Sequence, residues 1–314
     1  MDDTSPHIVA LAGGVGGARM AAGLTQVWPG ERLTVAVNIG DDFDHLGLRI
    51  CPDLDTVVYT LAGVGDAARG WGLAGETYAA FEAMKRLGGP DWFLLGDKDL
   101  ATHILRTDAL RRGQSLTDFT AAMAASLGVG ARILPVSDAP VATLLHTDEG
   151  LLAFQDYFVG RQAAPKVRSV VFEGAQNAQP SPQLLRALAS GALQGVVICP
   201  SNPFVSVAPI LAIPGVRAAI ENSRGPKIAI SPIIGGQAIK GPAAKMMDEL
   251  GLERSAVGVA EYYRGLVDIF VLHETDADLC SRVSALGMKP LVADTILSSD
   301  AARAALARTI EAAL

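Results

Sequence analysis

Hydrophobic positions along the chain fall into short runs, and each run ends in a glycine-rich or acidic loop. His7 to Leu11 is β-like and leads directly into Ala12-Gly13-Gly14-Val15-Gly16-Gly17-Ala18-Arg19; Met20 to Trp28 then carries helical spacing. Leu33 to Ile39 predicts a second strand, ending in Gly40-Asp41-Asp42. Trp92 to Leu95 predicts a third, ending in Gly96-Asp97-Lys98-Asp99, with a helix from Leu100. Gly195 to Ile198 ends in Cys199-Pro200-Ser201-Asn202-Pro203, and Lys227 to Ile230 ends in Ser231-Pro232-Ile233-Ile234-Gly235-Gly236. Strands alternating with helices predict an α/β fold, Rossmann-like and doubly wound, with a mostly parallel sheet. Ligands of such sheets bind outside the carboxyl ends of the strands, where these loops gather.

Residues 106–168 break the alternation. Ser115 to Leu127 reads as a helix capped by Ser115 or Thr117. Three β-like pieces follow, Arg132–Val136, Ala142–His146 and Leu151–Phe158, separated by Ser137-Asp138-Ala139-Pro140 and Asp148-Glu149-Gly150. The expectation is a core formed by 1–105 and 169–314, with 106–168 inserted as a helix and a small antiparallel unit.

Composition narrows the class. Of 314 residues, 50% are hydrophobic but only 5% aromatic, an aliphatic profile that suits a parallel sheet packed between helices. Mean hydropathy is +0.31, yet no run of eighteen apolar residues spans a membrane. The acidic Met1-Asp2-Asp3 start and the short first apolar run do not resemble a secretion signal, so the expected location is the cytoplasm. A net charge of −7 argues against a broad nucleic-acid surface. Cys51, Cys199 and Cys280 form neither zinc spacing nor a disulfide framework.

The loops then supply the chemistry. Gly13, Gly14, Gly16 and Gly17 allow a sharp turn that turns amide N–H groups toward an anion at a helix start, with Arg19 adding a charged fork. The spacing is not a Walker loop, and no acidic residue closes the second strand as in a dinucleotide fingerprint. A tight strand-to-helix turn without a ligand is the plainer alternative. Asp41, Asp42 and Asp44, then Asp53 and Asp55, suit a hard divalent cation such as Mg²⁺ shared with substrate phosphates. In an extended loop Asp53 and Asp55 face the same side; alternatively Asp55 caps a helix from Thr56. Asp97, Asp99 and Lys98 add carboxylates and a point charge able to neutralise a transferring phosphate. His103 shares a helical face with Asp99. Ser201 and Asn202 sit in a rigid loop and offer groups for a base or sugar, or form a structural turn. No nucleophile-elbow or zinc arrangement of His is present, which leaves metal-assisted phosphoryl transfer.

These segments resemble the 2-phospho-L-lactate transferases of coenzyme F-420 (deazaflavin) biosynthesis. The resembling stretches are LAGGVGGARM, VNIGDDFDHLGLRICPDLDTVVYTLAG, GWGLAGET, DWFLLGDKDLATH, ICPSNPFVSVAPILA and SPIIGGQAIKGPAAKMM, in order from about residue 11 to 247. The resemblance implies transfer of a phospho-three-carbon-acid group from its guanosine-diphosphate-activated form to the deazaflavin Fo, with release of GMP. It also implies Mg²⁺, a Rossmann-like core and a homodimer. By position it assigns Asp55 and the segment around Leu94, Gly96, Asp97 and Lys98 to the deazaflavin. Asp41, Asp42 and Asp53 go to metal or diphosphate, and Gly13 to Gly17 with Ser201 and Asn202 go to the guanylate. Asp55 and Lys98 are the catalytic candidates. A related glycine-loop family that binds nucleotide sugars for regulation is the competing resemblance.

Overall fold

The computed structural model describes residues 5–314; the acidic Met1-Asp2-Asp3 start lies outside them. Seven strands form one parallel sheet: β1 (His7–Ala12), β2 (Leu33–Val37), β3 (Arg132–Pro135), β4 (Leu193–Ile198), β5 (Lys227–Ile230), β6 (Ile269–His273) and β7 (Lys289–Ala293). Their spatial order is β7-β6-β5-β4-β1-β2-β3, with parallel pairing throughout. Helices cover the faces, so the central strands read as continuous apolar runs: every residue of β1 and of β2 is buried. The fold is thus α/β and Rossmann-like, with β2 and β3 on one side of β1 and β4 to β7 on the other. The order reverses between β1 and β4, and a crevice opens there beyond the strand ends.

Three elements differ from the sequence expectation. Arg132–Val136 is not part of an antiparallel unit. Its apolar residues pair in parallel with β2, from Thr34↔Arg132 to Val37↔Pro135, which gives the main sheet an edge strand. The antiparallel sheet contains Ala142–Thr147 flanked by Gly150–Ala153 and Val167–Glu173, so it extends past residue 168. Trp92–Leu95 forms no strand; three of these four side chains, Trp92, Phe93 and Leu94, face a cleft instead of a sheet.

Helix α1 (Gly14–Leu24) begins within the glycines, and α2 (Pro52–Leu61) has proline in its first turn. Helix α3 (Asp97–Arg111) runs through residue 106. The helix Leu116–Ser126 is capped by Ser115, whose hydroxyl accepts from the Asp118 amide. Among the described residues, no helix is long and apolar enough to cross a membrane.

Candidate active site

The glycine loop is locked from both sides of the sheet's reversal point. The Ser201 hydroxyl, in the loop after β4, donates to the Gly13 carbonyl at 2.8 Å and lies 3.3 Å from the Gly13 amide. A Cβ on Gly16 would sit 2.3 Å from the Pro200 carbonyl oxygen, so no larger residue fits this approach. From the other side, Asp53 accepts the Gly14 amide at 2.7 Å and the Asn38 side-chain amide at 2.9 Å. Asn38 is fully buried and also holds the Gly40 amide and the Val205 carbonyl. The first-turn amides of Val15 and Gly16 lack intrahelical acceptors, as at any helix start, and both residues line the cleft.

Asp53 and Asp55 sit in the first turn of α2, with Cys51 as the residue before it. Two apart in a helix, they point in different directions, which corrects the shared-side expectation for an extended loop and the N-cap alternative for Asp55. Asp53 turns to the glycine loop. Asp55 turns to α3, where Arg106 pairs with it and His103 Nδ1 lies 3.8 Å from its Oδ2. His103 Nε2 lies 3.4 Å from Asp99 Oδ2, and Tyr59 Oη is 2.8 Å from Asp99 Oδ1. Arg106 is 1% exposed, donates to the Arg49 carbonyl at 3.2 Å and stacks on Phe119 at 5.5 Å.

Burial dominates the electrostatics. It raises Asp55 above its usual range against the pull of Arg106 and His103. It takes Asp53 up to about 6 against hydrogen bonds from Asn38 and Gly14. Asp41 rises well above the ordinary carboxylate range through burial and the nearby Asp53 charge. Burial also pushes Asp99 up, but His103 and the Tyr59 hydroxyl outweigh it, and the net shift is downward.

These groups share one cleft of about 730 Å³ across the carboxyl ends of the strands. Gly13, Gly14, Gly16 and Arg19 line it, with Asp41, Asp53, Ser201 and Asn202; so do Asp55, Asp99 and His103, and Trp92, Phe93, Leu94 and Phe158. The 2-phospho-L-lactate transferase CofD family model matches residues 8–314. The chain belongs to this family. A 2-phospho-L-lactate transferase from Methanosarcina mazei is 40% identical over 292 residues, covering 93% of this chain and 95% of its own. A phosphoenolpyruvate transferase from Streptomyces griseus is 41% identical over 308 residues, with 96% of each chain covered. In fold alone, the chain is similar to a crystal structure of a UPF0052-family protein from Bacillus halodurans. That match has a TM-score of 0.60 at 18% identity and covers 92% of this chain and 93% of the other.

Membership makes the chain a transferase enzyme of coenzyme F-420 biosynthesis. Within this CofD-family fold, several sequence candidates fall outside the cleft lining: Gly17, Asp42, Gly96, Asp97 and Lys98. Gly17 is buried, with Ser201 Oγ 2.7 Å from where a Cβ would stand. Asp42 lies 3.6 Å from Arg49; burial takes it up to about 7. Asp97 accepts from Thr77 Oγ1 and from the amides of Ala79 and Ala80, tying α3 to the start of the preceding helix, Ala79–Arg86. Lys98 donates to the Ala74 carbonyl at 2.9 Å. Glu76 takes the amides of Lys98 and Asp99 and fills the space beside Gly96, so the start of α3 offers no open anion site. Asn202 lines the cleft, but its Oδ1 accepts the Phe204 amide as a turn cap.

Four participants were missed from the sequence: Asn38, Tyr59, Arg106 and the aromatic wall. Arg106 had a readable signal, being three residues beyond His103 on a helix and hence on the same face. Asn38 and Trp92 had none, because only the tertiary path of the chain brings Asn38 against Asp53 and Trp92 to the cleft.

Proposed function

We propose that this CofD-family enzyme transfers a phospho-three-carbon-acid group from its guanosine-diphosphate-activated form to the deazaflavin Fo and releases GMP. The observation that carries this reading is one cleft lined by a helix start with free amides, a carboxylate cluster and aromatic side chains. Phosphate oxygens meet the Val15 and Gly16 amides, with Arg19 adjacent, while Asp53 and Ser201 keep the loop in place. Trp92, Phe93 and Phe158 suit a planar heteroaromatic ring, which stacks on aromatic faces.

In the reaction, the terminal ribityl hydroxyl oxygen forms a bond to the phosphorus that carries the acid. The bond from that phosphorus to the bridging diphosphate oxygen breaks, and GMP leaves with the electron pair. Asp55 orients the hydroxyl and accepts its proton. Its raised affinity for a proton suits a general base, and the Arg106 pair fixes its direction. His103 stands between Asp55 and Asp99 and holds that edge of the cluster.

The residues present fit a divalent cation. Asp41 Oδ1 and Asp55 Oδ2 are buried without hydrogen-bond partners. Ligand atoms of Asp55, Asp99 and His103 lie within 4.8 Å of one another. Two carboxylates completed by phosphate oxygens match the preference of Mg²⁺. Asp41 and Asp53 offer further oxygens across the cleft, while Asp42 lies outside its lining. When bound, the cation neutralises charge developing on the transferring phosphate. The same family reading takes the enzyme as a cytoplasmic homodimer.

Relatives named for phospholactate and for phosphoenolpyruvate are equally similar, at 40% and 41% identity, so identity does not choose the acid. Incubating the protein with Fo, Mg²⁺ and each guanosine-diphosphate-linked acid in turn, with mass spectrometry of the product, makes that choice. The expected result is GMP together with an Fo adduct from one preferred donor. No adduct from any donor overturns the proposal.

A further inference from the structure

Residues 62–78, between α2 and the helix Ala79–Arg86, fold into a tight loop whose tip lies over the glycine loop. The Asp66 amide donates to the Gly72 carbonyl at 3.0 Å, the Gly70 amide to the Asp66 carbonyl at 2.7 Å, and the Ala74 amide to the Val64 carbonyl at 2.9 Å. Asp66 Oδ1 accepts the amides of Ala68 and Arg69, which stiffens the tip. Gly70 has φ +82°, and a Cβ there would lie 2.7 Å from a Val15 methyl and 3.1 Å from Lys240 Nζ. Three segments therefore meet at one point: the glycine loop, this tip, and the stretch after the hairpin Ile233–Ile234/Gln237–Ala238. That hairpin is anchored at its own turn, where the Gly235 amide donates to Asp276 at 3.1 Å.

Of the cations at this junction, Arg69 pairs with Asp66 at 3.9 Å, while Lys240 and Arg19 have neutral partners. Lys240 Nζ donates to the Arg69 carbonyl at 2.8 Å, and Arg19 Nη2 to the Ala67 carbonyl at 3.4 Å. Among the described residues, neither forms a salt bridge, although Asp41, Asp53, Asp55 and Asp99 all line the same cleft. An ammonium has three donors and binds an anionic oxygen more strongly than a carbonyl. A diphosphate entering a cleft lined by four carboxylates also needs positive charge on its open side.

We propose that Lys240 is a diphosphate-binding residue: its ammonium keeps one donor on the Arg69 carbonyl, gives another to an oxygen of the nucleotide donor, and so holds the Ala67–Gly72 tip down over Gly13–Gly16. The inference rests on the guanosine-diphosphate donor reading and adds to it a residue and a closing segment. Lys240 is exposed, so replacing it leaves the core intact.

The test is calorimetric titration of GDP, GMP and Fo, each with Mg²⁺, into the wild-type protein, Lys240→Met and Lys240→Arg. Losing one charge-assisted contact weakens GDP binding by about tenfold in Lys240→Met. The expected loss is smaller for GMP and absent for Fo, and Lys240→Arg recovers most of the GDP affinity. Hydrogen exchange at the Gly70 amide should slow on GDP binding in the wild type but not in Lys240→Met. GDP binding by Lys240→Met equal to wild type, or equal losses for GDP and Fo, overturns the role of Lys240 alone. A wild-type protein that binds no GDP overturns the donor reading and this inference together.

Discussion

At the residue scale, Asp55 carries two separable burdens. It is the proposed base, and it is also the counter-charge of a guanidinium that is 1% exposed. Asp55→Asn is expected to lower kcat by about 10²- to 10⁴-fold, the usual contribution of a general base. It should also cost about 3–5 kcal/mol of stability, because Arg106 is left buried and uncompensated. Urea unfolding and steady-state kinetics at a temperature where the variant remains folded read the two effects apart. Turnover within threefold of wild type in the folded variant would remove Asp55 from the chemistry. The contrast with Asp42 is instructive: it is as buried as Asp55, but it lies 3.6 Å from Arg49 and outside the cleft lining.

At the element scale, the strand-to-helix turn after β1 works because the loop after β4 presses against it. Gly16→Ala places a methyl group 2.3 Å from the Pro200 carbonyl, so either the start of α1 or the Pro200 loop must move. Overpacking of this kind costs about 1–3 kcal/mol, and it shifts the amides that meet phosphate. The expected outcome is lower stability together with weaker GDP binding. Gly191→Ala is the control, since a Cβ there meets nothing within 4 Å. Equal behaviour of the two variants in thermal unfolding and GDP titration would show that the close approach is immaterial. Helix α3 shows the opposite case. Lys98 in its first turn reads in sequence as a charge for a transferring phosphate, yet Glu76 takes the amides there and Lys98 turns to the Ala74 carbonyl.

At the scale of the whole molecule, the cleft joins loops from both halves of the sheet, so occupancy should couple to global stability. A ligand that binds only the folded state adds about 2.7 kcal/mol at one hundred times its Kd. GDP with Mg²⁺ is expected to raise the unfolding temperature, and EDTA to cancel most of that rise. An unchanged GDP effect in EDTA would show that the carboxylate cluster holds no cation needed for nucleotide binding. This readout does not depend on turnover.

Sequence alone determined the α/β class, the glycine turn and the acidic loop after β2, because strand and helix periodicity and turn chemistry are local properties. It also showed that PDLD and GDKD belong together, through family resemblance. Tertiary structure decided which carboxylates do what. Asp53 clamps the Gly14 amide, Asp55 meets Arg106, and Asp97 ties two helices, because each direction depends on the helix that carries the residue and on what packs opposite. Likewise, the placement of Arg132–Pro135 at the sheet edge and of Trp92–Leu94 in the cleft follows from long-range pairing and the tertiary path of the chain, which no local pattern encodes.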